Sequence, residues 1–260
     1  MTPTTAVRPW PDPGPPPRPR DLVSGPRLWL VRAPGPDATP DESVLDEEER
    51  CRAAALRRPA DRALYVAAHV ALREVLGGCL GVPAARIALT RLPCPGCGGP
   101  HGRPALAGPA GEAVHFSLSH TGGLALLALA ARPVGVDVER VPDIGLVRDA
   151  AGALHPTEQA ELAELAGDSR AAAFARCWTR KEAYLKAIGE GLSGGGLSGA
   201  HLGTGPEPAG LPGWQLCDVE VPPGYAAACA LPAPERMPVQ PDAAESRSAR
   251  PAANSVRQHR

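Results

Sequence analysis

The chain has 260 residues, enough for one large domain or two small ones, and its 43% apolar content allows a real core. Aromatic residues make up only 3%, so that core has to be built from Ala, Leu and Val. A net charge of −1, with a pI of about 6.7, argues against a general nucleic-acid binder, which would carry a basic face.

Residues 1–25 are Pro- and Arg-rich without a hydrophobic period and are expected to form a disordered tail. Leu28 to Val31 reads as a first strand. Asp41 to Arg58 reads as an acidic-then-basic helix, a charge order that suits the helix dipole, and Pro59 is expected to break it. Asp61 is expected to cap a second helix running to about Leu76, with Leu64, Tyr65, Leu72, Val75 and Leu76 on its buried side. Cys94 to Pro104 is a loop by composition, and its Cys94, Cys97 and His101 are metal-ligand types at a plausible spacing for zinc. A structural zinc site has four ligands and no second Cys pair follows, so a Gly/Pro turn is the plainer reading.

Three short strands come next: Val114 to Ser119, Leu124 to Ala130 and Val134 to Glu139, expected as an antiparallel meander. A helix follows over Leu154 to Ala166, with His155-Pro-Thr-Glu158 where a capping box belongs, so Glu158 reads as a cap. Trp178-Thr-Arg-Lys-Glu-Ala-Tyr-Leu-Lys186 is the middle of another helix, ended by Gly189 and Gly191. Residues four apart share a face, so Trp178, Glu182 and Lys186 stand in one line beside an apolar stripe of Phe174, Trp178, Leu185 and Ile188. Glycines 194, 195 and 196 read as a flexible loop and fit no phosphate-binding fingerprint. Strands at Trp214 to Val221 and Gly224 to Leu231 close the ordered part, and 232–260 is expected to be a second disordered tail. The fold class is α+β, a sandwich of two similar halves, 26–132 and 133–231, each a small antiparallel sheet with helices.

The seven cysteines are odd in number and scattered in mostly apolar context, which reads as reduced thiols of a cytoplasmic protein. No charged-then-apolar leader opens the chain, and no run of about 20 apolar residues offers a membrane span.

Asp137 and Glu139 project from one face of a strand beside core valines. Like charges held together there need a cation, and hard oxygen ligands suit Mg²⁺; two solvated acids at a strand end are the alternative. Ser119 and His120 stand at a tight Gly-flanked turn, a plausible anion site, although a turn histidine often bonds only its own backbone. No serine-hydrolase elbow accompanies them. Arginines 50, 52, 57 and 58 form a basic helix end that becomes a phosphate site only if the fold carries it near His120. Three carboxylates (Asp137, Glu139, Glu182), Lys186 and the Ser/His turn would together make a one-metal site for transfer involving a diphosphate.

Phe116-Ser-Leu-Ser-His120, Gly135-Val-Asp-Val-Glu139 and Trp178-Thr-Arg-Lys-Glu-Ala-Tyr-Leu-Lys186, in that order and at those gaps, resemble the 4'-phosphopantetheinyl transferases of the surfactin-synthetase-activating (Sfp) type. The resemblance spans about 28–231. It implies a pseudo-twofold pair of α/β halves with the site in the cleft between them. It also implies a monomeric, cytoplasmic enzyme that moves the phosphopantetheine arm of coenzyme A to a serine of an acyl or peptidyl carrier protein. Adenosine 3',5'-bisphosphate is the implied second product, and polyketide or nonribosomal peptide biosynthesis the implied setting. In those terms Asp137, Glu139 and Glu182 hold Mg²⁺, Glu182 is the base, and Lys186 neutralises diphosphate charge. Ser119 and His120 hold phosphate oxygens, Arg103 lies beside the adenine nucleotide, and Arg52 meets the 3'-phosphate. Leu64 departs from a basic residue common in relatives, and Arg103 replaces the more frequent Lys. The competing readings are a non-catalytic coenzyme A or carrier-binding module and a zinc-stabilised interaction protein.

Overall fold

The computed structural model describes residues 6–35, 41–100, 102–190 and 196–234. In chain order the strands are β1 (Val7–Trp10), β2 (Arg27–Arg32), β3 (Leu89–Arg91), β4 (Pro104–Leu106), β5 (His115–Thr121), β6 (Leu124–Ala130), β7 (Gly135–Arg140), β8 (Trp214–Asp218) and β9 (Tyr225–Pro232). The helices are α1 (Glu47–Ala55), α2 (Pro59–Leu80), α3 (Ala110–Ala113), α4 (Ile144–Ala150), α5 (Pro156–Ala163), α6 (Gly167–Ile188) and α7 (Gly196–Gly199). One sheet has the order β1-β2-β6-β5, a second β7-β9-β8, and β3 and β4 form a small hairpin. The α+β class expected from the sequence is the class observed.

Alternation sorts the layers. Trp29, Phe116, Leu127 and Leu129 turn one face of the first sheet to Leu72, Val75 and Leu76 of α2. Leu28, Leu126 and Ala128 turn the other face to Val136, Val138 and Cys229 of the second sheet. The far side of that second sheet meets α6 at its centre through alanines, Ala183 and Ala187 against Ala228 and Ala230, with Tyr184, Trp214 and Leu216 packed around them. The core of Ala, Leu and Val expected from the composition is the core observed, with alanine prevailing at this last contact.

Four expectations need correction. The opening Pro-rich stretch is ordered from Ala6 onward. Val7–Trp10 pairs in parallel with Leu28 to Val31, and the Asp12 carboxylate accepts the Trp29 indole N–H at 3.1 Å. Its prolines are tolerated because β1 lies at a sheet edge, where a missing N–H leaves no partner wanting. Pro59 starts α2 instead of ending the helix before it: it sits at the first helical turn after Arg58, and Asp61 serves that turn as an acid, not as the cap. The preceding helix is shorter than expected because Asp46 and Glu49 form its capping box, while Asp41 caps a separate 3-10 turn. Finally β7 leaves the expected meander and pairs with β9. It meets β5 through side chains: Ser117 Oγ accepts the Val136 N–H at 3.1 Å and Ser119 Oγ donates to Asp137 Oδ1 at 2.7 Å.

Helix α2 is long and apolar enough to cross a bilayer, against the sequence expectation, but 72% of its most apolar window is buried within the fold. The expected tail at 232–260 and the loop glycines 194 and 195 lie almost wholly outside the described residues, while Gly196 opens α7.

Candidate active site

Two glycines bring the candidate residues within reach of one another. Gly135 begins β7 directly beneath α6, where a Cβ would lie 1.9 Å from the Ala183 carbonyl oxygen. That approach sets Asp137, two residues on, against the C-terminal part of the helix that carries Glu182 and Lys186. Gly189, in a left-handed conformation, ends α6 and turns the chain away beside Arg103.

Asp137 is 2% exposed, and its Oδ1 accepts both Lys186 Nζ at 2.6 Å and the Ser119 hydroxyl at 2.7 Å. Lys186 Nζ also donates to Ser119 Oγ at 3.0 Å, which closes a triangle over three elements. The second oxygen, Asp137 Oδ2, is buried and has no hydrogen-bond partner among the described residues. An orphaned carboxylate oxygen is costly in a protein interior, so its direction is informative. Burial raises the pKa of Glu182 to about 6, with Asp137 and Glu139 adding to the rise and Lys186 opposing it. Burial and then Asp137 raise that of Glu139 as well, against a hydrogen bond from Thr121. Three carboxylates thus feel one another across a single lysine. Their type suits a hard divalent cation, and the open Asp137 oxygen offers it a first ligand. The described side chains are not themselves gathered as a ligand set: among the described residues no three acids, imidazoles or thiols stand close enough to hold a metal ion.

Beside the triangle opens a cleft of about 440 Å³, lined among others by Lys186, Glu190, Arg52 and His120. His120 stands on the open end of β5. Partial withdrawal from water lowers its pKa, and the charges of His69, Lys186 and Arg52 lower it further, favouring a neutral imidazole. Arg103 is half-buried on the cleft wall and donates to the Ala187 carbonyl at 2.8 Å, at the C-terminal end of α6. The fold therefore does carry a basic helix end to His120, but of the four arginines only Arg52 lines the cleft. Arg50 turns back to Glu47 and the Leu45 carbonyl.

Leu64 is not a vacant cleft position. It is 4% exposed and packs with Val31, Ala68 and Ala125 behind the site. Trp178 stacks on Phe174 with ring centres 5.5 Å apart, the structural role its place in the apolar stripe suggests. His101 lies outside the described residues, so the proposed third ligand beside Cys94 and Cys97 has no described position.

Sequence reasoning missed a polar wall of the cleft. Tyr65 and His69, four apart on α2, stack at 4.0 Å, and Tyr65 meets His120 edge-on at 6.3 Å. His69 Nδ1 lies 2.9 Å from Glu49 Oε1, and Arg73, 1% exposed, fixes Glu49 from its other oxygen at 2.6 Å. The i, i+4 spacing of Tyr65 and His69 was the available signal. Glu158 and Lys181 were also missed as partners. Both are buried, and their ion pair measures 2.8 Å. Glu158 is a cap, as expected, and also accepts the Leu202 and Gly203 amides.

Residues 133–212, which include Asp137, Glu139, Glu182 and Lys186, match the model of the 4'-phosphopantetheinyl transferase superfamily. The chain is 31% identical over 201 residues to 4'-phosphopantetheinyl transferase HetI of Nostoc sp., covering 74% of this chain and 81% of that one. It is 30% identical over 176 residues to the putative 4'-phosphopantetheinyl transferase slr0495 of Synechocystis sp., covering 67% and 69%. The similarity to 4'-phosphopantetheinyl transferase Sfp of Bacillus subtilis is 33% over 79 residues, 30% of this chain and 35% of Sfp. With two relatives matched over more than two thirds of their length and the motif carboxylates and lysine inside the matched family segment, the chain belongs to the 4'-phosphopantetheinyl transferase superfamily and is a transferase.

Proposed function

We propose that this transferase takes the 4'-phosphopantetheine arm from coenzyme A and places it on a serine hydroxyl of an apo acyl or peptidyl carrier protein, releasing adenosine 3',5'-bisphosphate. The observation that carries the reading is the triangle of Lys186, Ser119 and Asp137 beside a cleft lined by Arg52, Arg103 and His120. A chain of cations and neutral donors along one cleft suits a polyphosphate ligand. Arg52 and Arg103 bind the nucleotide end, and His120 and Ser119 bind phosphate oxygens. Lys186 leaves Asp137 for the diphosphate and neutralises the charge that builds on the leaving group.

Asp137, Glu139 and Glu182 would hold Mg²⁺, starting from the unpartnered Asp137 oxygen. A divalent ion bound there supplies Lewis-acid stabilisation of the phosphoryl oxygens. Glu182, with its pKa raised to about 6, is poised to accept the proton of the carrier serine near neutral pH, directly or through water. The Sfp type, a monomeric state, a cytoplasmic location and a role in polyketide or nonribosomal peptide biosynthesis belong to the same proposal. So does the division into two halves that meet at 132/133, the first of them reaching back to β1, which one long helix on each main sheet supports.

The test is a mass measurement. Apo carriers of both kinds are incubated with the protein, coenzyme A and Mg²⁺. The expected product is a carrier heavier by one phosphopantetheine, absent when Asp137→Ala replaces the native chain. Unmodified carriers throughout would overturn the activity, and modification by Asp137→Ala at the native rate would overturn the site.

A further inference from the structure

The six-residue turn from Cys94 to Gly99, within the connection of β3 to β4, lies outside the machinery just described and is built around two sulfurs. Cys94 is buried and Cys97 exposed. The chain closes on itself there: Gly98 N–H donates to the Cys94 carbonyl, Cys94 N–H to the Gly99 carbonyl, both at 2.8 Å, and Gly98 takes a left-handed φ of 71°. The amides of Cys97 and Gly96 point at Cys94 Sγ, and the Gly99 amide points at Cys97 Sγ at 3.4 Å. Three backbone donors thus converge on two sulfurs in a six-residue turn. Amide donors stabilise sulfur chiefly when it is a thiolate, and paired thiolates are the donors that thiophilic metals take. The Glu190 carboxylate adds a negative field that attracts a cation.

We propose that Cys94 and Cys97 form a dithiolate site for a thiophilic divalent cation, zinc, at the rim of the cleft. Two thiols and one cation give the dithiolate complex and two protons, with no change of oxidation state. The thiolates fill two corners of the tetrahedron, and water completes the coordination. The site braces the hairpin that carries Arg103: the Leu92 amide donates to the Arg103 carbonyl at 3.0 Å just beyond the turn, and Pro95 and Arg103 flank Gly189 at the end of α6.

Cobalt(II) titration of the full-length, reduced, metal-stripped chain tests this. The expected result is one equivalent bound with a sulfur-to-cobalt charge-transfer band, bleached by one equivalent of zinc. Cobalt held by the acidic residues of the active site would lack that band. Cys94→Ser and Cys97→Ser should each weaken it at least tenfold in affinity, and Cys51→Ser, at an exposed cysteine elsewhere, should leave it intact. The absence of the band in the native chain overturns the proposal without reference to any variant. Persistence of the full band in both turn variants, or its loss in Cys51→Ser, overturns it as well.

Discussion

Replacing Lys181 by Met should unfold this enzyme more readily without touching its chemistry. Lys181 adjoins Glu182 in sequence but points to a different face of α6, about 100° round the helix, where its Nζ meets Glu158 at 2.8 Å with side-chain exposures of 1% and 0%. Truncation leaves the Glu158 carboxylate buried with only neutral donors: the amides of His155, Leu202 and Gly203. Removing one partner of such a buried pair costs about 3–5 kcal/mol. At about 2–4 °C per kcal/mol for a chain of this size, the thermal midpoint should fall by about 6–20 °C. The double variant Glu158→Gln/Lys181→Met removes the stranded charge and should recover much of the loss, because Gln can still accept from the amides. Thermal and denaturant unfolding of the native chain, the single variant and the double variant measure this. Transfer per folded molecule, measured well below the midpoint, should stay within about twofold, since Lys181 does not line the cleft. A single variant no less stable than the double would refute the argument, because the pair would then not be closed to water.

Glu182→Gln should lower the turnover by about 10²–10⁴-fold, the range of a lost general base, while the unfolding midpoint holds; turnover near native would remove Glu182 from the base role. Arg103→Lys keeps the charge but cannot reproduce the guanidinium geometry at the Ala187 carbonyl, so KM for coenzyme A should rise with kcat nearly unchanged; a loss confined to kcat would contradict this. For Glu161, burial would raise the pKa, but the Thr204 hydroxyl and amide and His201 outweigh it and hold the pKa below the ordinary 4.5. Its stabilisation is therefore present above that value and disappears as the pH falls through the lowered one. The stability gap between native chain and Glu161→Gln should shrink in acid below about pH 4.5, and a gap that widens there would show the sign to be wrong. Gly135→Ala should cost about 1–3 kcal/mol as overpacking beneath α6 and reduce transfer as well, read from unfolding and mass-shift rates on the same preparation; normal transfer would show that the spacing is not critical.

The strand and helix periods of β5, β6, β7, β9 and α6 were legible because each carries a strong pattern: alternation in Val134 to Glu139, and an apolar stripe with a glycine stop after Ile188. Of the candidate site residues, Ser119, His120, Asp137, Glu139, Glu182 and Lys186 fall on those same elements, while Arg52 and Arg103 lie elsewhere and took their roles from the family resemblance. What stayed hidden was non-local. Nothing near Val134 announces that its strand will pair with one ninety residues later, since hairpin-like spacing from β6 is equally satisfied by a meander. The order in the Pro-rich opening depends on Trp29 and Asp12, seventeen residues apart. The Lys181–Glu158 pair joins two helices whose separate patterns each looked complete, so a cap and a charged helix residue gave no hint of one another.

The Cβ that Gly135 lacks has a reach beyond its own strand. Helix and strand backbones come together there to a separation that no side-chain-bearing residue would permit. Ala183 and Ala187 of α6 continue the same contact against Ala228 and Ala230 of β9, so the C-terminal part of the helix rests there on backbone and methyl groups, with the Tyr184–Trp214 pair to one side. Such an interface has almost no side-chain freedom with which to absorb a displacement. The gap between the acid on the strand and the acid and amine on the helix is then a dimension of the main chain, like the pitch of a screw. Glycine and alanine at this contact are the condition under which that gap can be narrow and constant.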